Sequence, residues 1–424
     1  MRDIVGTIAS RYLIAVLNLV LIFINAKVLG VEGVGLIGII LASVNIAMMF
    51  NGILAGNTIV YFMNRYSLQA VFRPSYLWTL VGSGLACGVM SVIGMLPEGY
   101  FTDVYCLSVL VSLVAANSRF LLGKNRVFSF NITFMLQGGL LFFVLLYLYY
   151  GAGRQDVSSY LQGMYVANGI AFLISFLLLL PYLRRKEADA GKECPLPVLL
   201  KEMFGYGLWG STDNIAEVLT TRLNYFLIGR FGGLGSVGLL DAGTKISESV
   251  WHINRSIGFI EYSRVAQTDD KTRQKEITLQ YFKLTFCAVT LATVCVLFVP
   301  EWVYTDYLFS DEFAGVRKVI IGLSAGIIAL GCNSILSQYF IGSGKIRYSA
   351  VCSIIGLLSL LIAGAILIPL YGIVGSAVSS SIAFCAMLAF SWIVFCKQTG
   401  TSFSEFAVNK QDLDFIRKTF RRSL

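Results

Sequence analysis

Five ionisable side chains recur along one stretch of an otherwise apolar chain: Asp241, Lys245, Glu248, His252 and Arg255, in DAGTKISESVWHINRSIGF. If the segment is helical, the spacing i, i+4, i+7, i+11, i+14 confines them to an arc of about 80°. Ala242, Ile246, Val250, Ile253 and Ile257 take the other faces. A charge turned toward lipid near mid-bilayer costs roughly 3 kcal/mol or more, so five cannot face outward. They line a polar interior or pair with a neighbouring helix. The preceding apolar segment has a similar character. There Asp213, Glu217, Thr220 and Asn224 share one face, with Arg222 roughly opposite Asp213. In the first apolar segment Arg11, Asn18 and Asn25 repeat at seven-residue intervals.

Two chemistries suit this set. In one, Lys245 neutralises Asp241 and Glu248, Arg255 neutralises Glu248, and the stripe keeps helices in register. In the other, Arg11, Asn18, Asn25, Arg222, Lys245 and Arg255 receive an anionic substrate. Arginine suits phosphate because its planar fork donates two bonds to phosphate oxygens. Asp213, Glu217, Asp241, Glu248 and His252 would then carry a coupling H+ or Na+. Tyr12, Trp209 and Trp251 suit either sugar faces or packing. Catalysis is poorly supported: the chain has one histidine, no HExxH and no P-loop. The nine cysteines show no CxxC or metal-ligand spacing, so no metal and no cofactor is expected.

These residues need elements to position them. The chain has 424 residues, 56% of them hydrophobic and 13% charged, with a mean hydropathy of +0.74. That excludes an ordinary soluble domain and predicts an all-α polytopic membrane protein of about twelve helices. The runs and their breakers place spans near 12–30, 34–62, 75–96, 103–122, 128–150 and 157–183. A second set falls near 203–230, 236–260, 279–303, 315–341, 347–370 and 372–396. The first run is too long for a secretory signal and lacks its cleavage site. With the N-terminus in the cytoplasm, 24 Lys and Arg residues fall on the inner side and five on the outer. The positive-inside rule therefore predicts that both termini are cytoplasmic. A net charge of +9 scattered between apolar segments builds no groove for nucleic acid. The outer stretch PEWVYTDYLFSDEF (300–313) reads as a short interfacial loop. The tail EFAVNKQDLDFIRKTFRRSL reads as either a basic amphipathic helix or a solvated segment.

The chain also repeats itself. GVEGVGLIG begins at Gly30 and GLGSVGLLD at Gly233, each between the first and second spans of its half. FLLGKNRVFSF (120–130) matches YFIGSGKIRYSA (339–350), each between the fourth and fifth. Six spans per half keep the halves in the same orientation, related by an axis along the membrane normal with a cavity between them. The resulting division is an N-terminal lobe 1–183, a cytoplasmic connector 184–201, a C-terminal lobe 202–396 and a basic tail 397–424.

These glycine-rich turns, the stretch IGRFGGLGSVGLLDAGTKI, the basic connector and LIPLYGIVGSAVSSSI (367–382) together resemble the polysaccharide branch of the multidrug/oligosaccharidyl-lipid/polysaccharide exporter superfamily. The match is closest to the Wzx-type O-antigen flippases, over about residues 5–396. The resemblance implies two six-helix lobes in a V-shaped, MATE-like alternating-access transporter. It implies a flippase of the bacterial inner membrane that moves an undecaprenyl-diphosphate-linked oligosaccharide for surface polysaccharide synthesis. Its partners would be that polyprenyl-linked substrate, membrane lipid and other polysaccharide assembly proteins. Lipid II flippases of the superfamily typically carry two further helices that this chain lacks, which favours the Wzx type. A cation-coupled multidrug exporter and a polytopic enzyme of polysaccharide assembly are the competing readings. An exporter would favour acidic and aromatic residues over Arg222, Lys245 and Arg255.

Overall fold

A computed structural model of the chain describes residues 2–63, 65–124, 126–184, 195–268 and 270–406. Among them there is no strand. The α-helices are α1 (Arg2–Ala55), α2 (Asn57–Phe62), α3 (Leu68–Val92), α4 (Phe101–Gly123), α5 (Val127–Leu146), α6 (Val157–Arg184), α7 (Leu196–Ala266), α8 (Lys271–Leu297), α9 (Val316–Gly342) and α10 (Arg347–Thr399). Eight helical stretches are long and apolar enough to cross a bilayer. Two of these, Val16–Phe62 and Arg347–Thr399, pass through kinks at Gly30 and Gly372 and are long enough for two crossings each. The helix α7 bends in the same manner at Gly233 but is not among the eight. Counted as its two arms, it completes the twelve that the sequence predicts.

The repeats mark where the backbone turns. Gly30 (φ 68°, ψ 179°) and Gly233 (φ 71°, ψ −178°) are the first residues of the two copies and share one conformation. That region is essentially closed to residues with a Cβ. One glycine therefore replaces a loop and turns one helix directly into the next. The second repeat is matched just as closely. At the end of α4, Lys124 N donates to Phe120 O and Arg126 N to Leu121 O, at 3.1 and 2.9 Å. At the end of α9, Ser343 N donates to Tyr339 O and Lys345 N to Phe340 O, at 2.9 and 2.7 Å.

Contacts divide the chain into two compact units, Met1–Val218 and Leu219–Leu424. In the first, the end of α1, α2, and parts of α3, α4, α6 and α7 enclose Ile53, Leu54, Ile59, Phe62, Val71, Phe120, Leu179 and Met203. Polar side chains tie the helices together at depth. Asn51 Nδ2 donates to Ser83 Oγ and Ser112 Oγ at 2.8 and 2.7 Å. Tyr76 donates its hydroxyl proton to Asn117, whose Nδ2 donates to Ser175 Oγ. With no water in the hydrocarbon region, such groups must satisfy one another.

The first arm of α7 crosses α1 so closely that a Cβ on Gly207 would stand 1.9 Å from the Ile53 carbonyl oxygen. Two residues earlier, a Cβ on the exposed Gly205 would meet nothing within 4 Å. Gly207→Ala should therefore cost about 3 kcal/mol or more through forced separation of the helices. Gly205→Ala should be neutral or slightly stabilising. Melting of the two purified variants in detergent gives the comparison. Equal melting points would remove the crossing from the fold's supports.

In the second unit, α9 packs on α10 through small residues. A Cβ on Gly322 would stand 2.8 Å from Ala377 Cβ, and one on Gly326 would stand 2.6 Å from Ser381 Cα. Ser381 Oγ donates to Gly322 O at 2.5 Å and accepts from Gly326 N at 3.2 Å. The run IVGSAVSSSI is thus a helix-contact surface. Residues 300–313, read as a short interfacial turn, fold as short helical turns. Val303–Leu308 forms a π-helical turn with Tyr304 buried, and Glu301 accepts from Gly315 N at 2.8 Å. At the other end Lys275 Nζ lies 2.7 Å from Glu405, which holds that carboxyl below the usual carboxylate range, and Phe406 packs among Phe282, Trp392 and Phe395. The residues of the tail beyond 406, and those of the connector from 185 to 194, lie outside the described residues.

Candidate substrate- and ion-binding site

The bend at Gly233 folds α7 so that residues before and after it meet side by side. Arg222 and Tyr225 come from the first arm, and Asp241, Lys245 and Glu248 from the second. Lys245 Nζ lies 2.6 Å from Asp241 Oδ2. Tyr225 donates its hydroxyl proton to Asp241 Oδ1 at 3.1 Å, and Arg222 Nη1 donates to the Tyr225 oxygen at 3.1 Å. Arg222 Nη2 reaches both oxygens of Glu248, at 3.1 and 3.3 Å. The result is a five-residue ladder of two cations, two carboxylates and one phenol, with no net charge.

Sequence spacing placed Lys245 beside Asp241, and they pair. It also offered Glu248 to Lys245 and Arg255; Arg222 holds Glu248 across the bend, and the side chain of Arg255 lies outside the described residues. The Gly233 turn is what brings Arg222 of the first arm onto Glu248 of the second. Tyr225 was not singled out from the sequence. Its position three residues after Arg222, on the same helical face, was the available signal.

The ladder is buried at its centre, where Tyr225 meets Asp241, and partly open at both ends. The Asp241 side chain is 3% exposed, Lys245 26%, and Arg222 and Glu248 22% each. Beside it lies a cleft lined by Thr221, Asn224, Tyr225, Thr244, Glu248 and Ser380, closed by apolar residues of α9 and α10. Asn224 Nδ2 donates to Ser376 O, Ser379 Oγ and Ser380 Oγ at 2.9, 3.2 and 2.6 Å. Its buried Oδ1 has no hydrogen-bond partner among the described residues. The face read from Thr220 and Asn224 thus packs on α10, because Ser376, Ser379, Ser380 and Gly356 leave room there.

The other candidates are placed as follows. Asn25 is buried and accepts from Tyr149 OH at 3.0 Å, an internal tie of the first unit. Asn18 is exposed on α1, and Glu217 is half-buried on α7. The side chains of Arg11, Asp213, His252 and Arg255, with those of Tyr12, Trp209 and Trp251, lie outside the described residues. The structure therefore brings together Arg222, Asp241, Lys245 and Glu248 within one unit.

Comparison with known proteins bears on the fold. A family model described as the lipid II flippase MurJ matches residues 257–416, beginning beyond the ladder. No curated protein matches the chain. Among solved structures, an inward-facing multidrug resistance MATE family transporter of the MOP superfamily aligns with a TM-score of 0.73 at 13% identity, covering 91% of this chain and 94% of that one. The lipid II flippase MurJ, in an inward closed conformation, aligns at 0.71 and 13%, covering 99% and 93%. A MOP superfamily transporter from Pyrococcus furiosus, described as having a binding pocket of reversed polarity, aligns at 0.59 and 13%, covering 96% and 95%.

The fold is that of the MOP-superfamily transporters. The chain is a multi-span membrane protein that shares its fold with a multidrug resistance transporter and a lipid II flippase.

Proposed function

We propose that this protein is a flippase of the bacterial inner membrane, translocating an undecaprenyl-diphosphate-linked oligosaccharide repeat unit for surface polysaccharide synthesis. The observation that carries the reading is the Lys245–Asp241–Tyr225–Arg222–Glu248 ladder. Its cations are partly open, yet each rests on a carboxylate. A diphosphate competes directly with those carboxylates, because the arginine fork serves phosphate and carboxylate oxygens alike. When substrate takes Arg222 and Lys245, Glu248 and Asp241 lose their partners and must bind H+ or Na+. Substrate and ion uptake are thereby linked through one set of bonds. Moving one charge through the membrane potential supplies about 2.3 kcal/mol per 100 mV, so no nucleotide motor is needed.

In this reading Arg11, Asn18, Asn25 and Arg255 extend the substrate path, and Asp213, Glu217 and His252 extend the ion path. Residues 1–183 and 202–396 act as the two six-helix lobes, joined by 184–201, with 397–424 as a cytoplasmic tail. The multidrug exporter shares the fold, and the substrate separates the two. Cells lacking the protein should accumulate lipid-linked repeat units on the inner leaflet and lose surface polysaccharide. Drug hypersensitivity with normal polysaccharide would replace the flippase by the exporter.

The orientation is tested separately. In a background without native cysteines, an impermeant thiol reagent applied to intact cells should label a cysteine at Asp311 and spare one at Lys271. Both positions are exposed on the protein. Labelling at 271 would invert the map drawn from the basic residues.

A further inference from the structure

The inner end of α7 carries a second acidic group, on the face opposite the ladder. At about 100° per residue, Glu261 lies roughly 160° from Asp241. It is fully buried. Its Oε1 is 3.1 Å from Thr278 Oγ1 on α8, and its Oε2 has no hydrogen-bond partner among the described residues. No cation pairs with it among the described residues: Arg264 on α7 lies instead over the Tyr281 ring of α8, 5.6 Å from its centre. The other titratable groups facing it are Tyr281 itself and Tyr339 of α9, with Lys345 5.7 Å from the Tyr339 ring.

Burial without a paired cation decides the charge state. The Thr278 hydroxyl has one proton, and the carbonyl of Gln274 lies 2.9 Å away, nearer than Glu261. That one proton is shared between Gln274 O and Glu261 Oε1, so Thr278 gives the carboxyl at most one hydrogen bond and leaves Oε2 with none among the described residues. An ionised, unpaired carboxylate at this depth would cost several kcal/mol, and such a group takes up a proton instead. A metal cation would need several oxygen ligands, and no cluster of three or more metal-ligating side chains occurs among the described residues.

We propose that Glu261 is a proton-binding site of the C-terminal unit, protonated in this conformation and distinct from the Arg222–Asp241 ladder. The Glu261–Thr278–Gln274 chain leads toward the turn after α7, where Gln274 Nε2 donates to Val265 O and Thr268 O at 3.3 and 2.7 Å beside the exposed Gln267 and Asp270. Loss of the proton leaves a buried charge that must be hydrated, which loosens α7 from α8 and α9. This rests on the transporter reading and supplies it with H+ as the coupling ion.

The test uses purified full-length protein in nanodiscs without substrate, read by infrared spectroscopy and by melting. At pH 7 the wild type should show a carboxylic-acid C=O band that is missing in Glu261→Gln and displaced in Thr278→Val. An unfolded glutamate titrates near 4.3. A glutamate kept neutral in the fold therefore loses folding equilibrium tenfold for each unit of rising pH above that value. The wild-type melting point should fall from pH 5 to pH 8 relative to that of Glu261→Gln. If Glu261→Gln does not fold, the Thr278→Val displacement still decides the assignment. No band at pH 7, or a band that both variants leave unchanged, overturns the proposal. Because no substrate is present, that failure leaves the flippase reading standing, whereas a normal Glu261 band in a protein that flips no lipid-linked sugar would sink the flippase alone.

Discussion

In the proposed flippase, Arg222→Ala should abolish export of lipid-linked oligosaccharide, and the exchanged pair Arg222→Glu/Glu248→Arg should restore the protein's abundance without restoring export. The two halves of this expected result separate structure from transport. Removing the guanidinium leaves Glu248 half-buried without its partner, which costs up to about 3 kcal/mol of stability. Exchanging the two residues rebuilds the pair and recovers that stability. It also moves the cation to the other arm of α7, where a diphosphate no longer finds it beside Tyr225. Losing a charge-assisted fork worth about 3 kcal/mol corresponds to roughly a hundredfold weaker substrate binding. Arg222→Lys keeps a charge but loses the fork, and should fall between, near tenfold. Repeat-unit flipping in reconstituted vesicles, with protein level measured by immunoblot, reads both quantities. Export at the wild-type rate in the exchanged variant would make the ladder a purely structural device.

The second large effect belongs to Gly233. Alanine there must hold φ near 71° with ψ near 180°, a conformation open essentially to glycine alone. The strain is about 3 kcal/mol, and the chain escapes it by straightening. A straighter α7 carries Arg222 away from Glu248 and Tyr225 away from Asp241, so Gly233→Ala should lose both thermal stability and transport. Gly30→Ala should behave alike, because its backbone angles match. Disulfide trapping between cysteines at Arg222 and Glu248, in a cysteine-free background, reports the bend directly. Efficient cross-linking in Gly233→Ala would show that the bend survives without glycine.

The helix inventory was legible from hydropathy, and the first repeat begins at two of the three kinks, Gly30 and Gly233, while the third, at Gly372, lies outside the repeats. The helix ends were not legible. The third and ninth spans were read as starting at 75 and 279, whereas the helices start at Leu68 and Lys271. The first turn of α8 is polar, that of α3 is cut off from the apolar run by Arg73 and Pro74, and both starts are set by caps: Ser67 accepts from Ala70 N, and Asp270 from Thr272 N. Of the site, periodicity found Asp241, Lys245 and Glu248 as one face. It could not join them to Arg222, because that contact depends on how sharply Gly233 turns, a tertiary quantity with no period. Glu261 escaped for a different reason. It stands singly among apolar neighbours on the face opposite the stripe, and a search for patterns passes over one residue.

The neutral ladder also bears on how the chain enters the bilayer during synthesis. Neither arm of α7 belongs to a stretch apolar enough to cross the membrane by composition. A lysine, arginine or aspartate at the centre of an inserting helix costs about 3 kcal/mol, so each arm alone would be rejected by the insertion machinery. Joined by a single glycine, the two arms emerge from the ribosome close together, and each brings the counter-charges the other lacks. Leaving the translocon as one hairpin, with Arg222 on Glu248 as in the folded chain, lowers that cost for both arms. In the proposed flippase, the bond that substrate would displace is also one that eases the newborn chain into the membrane.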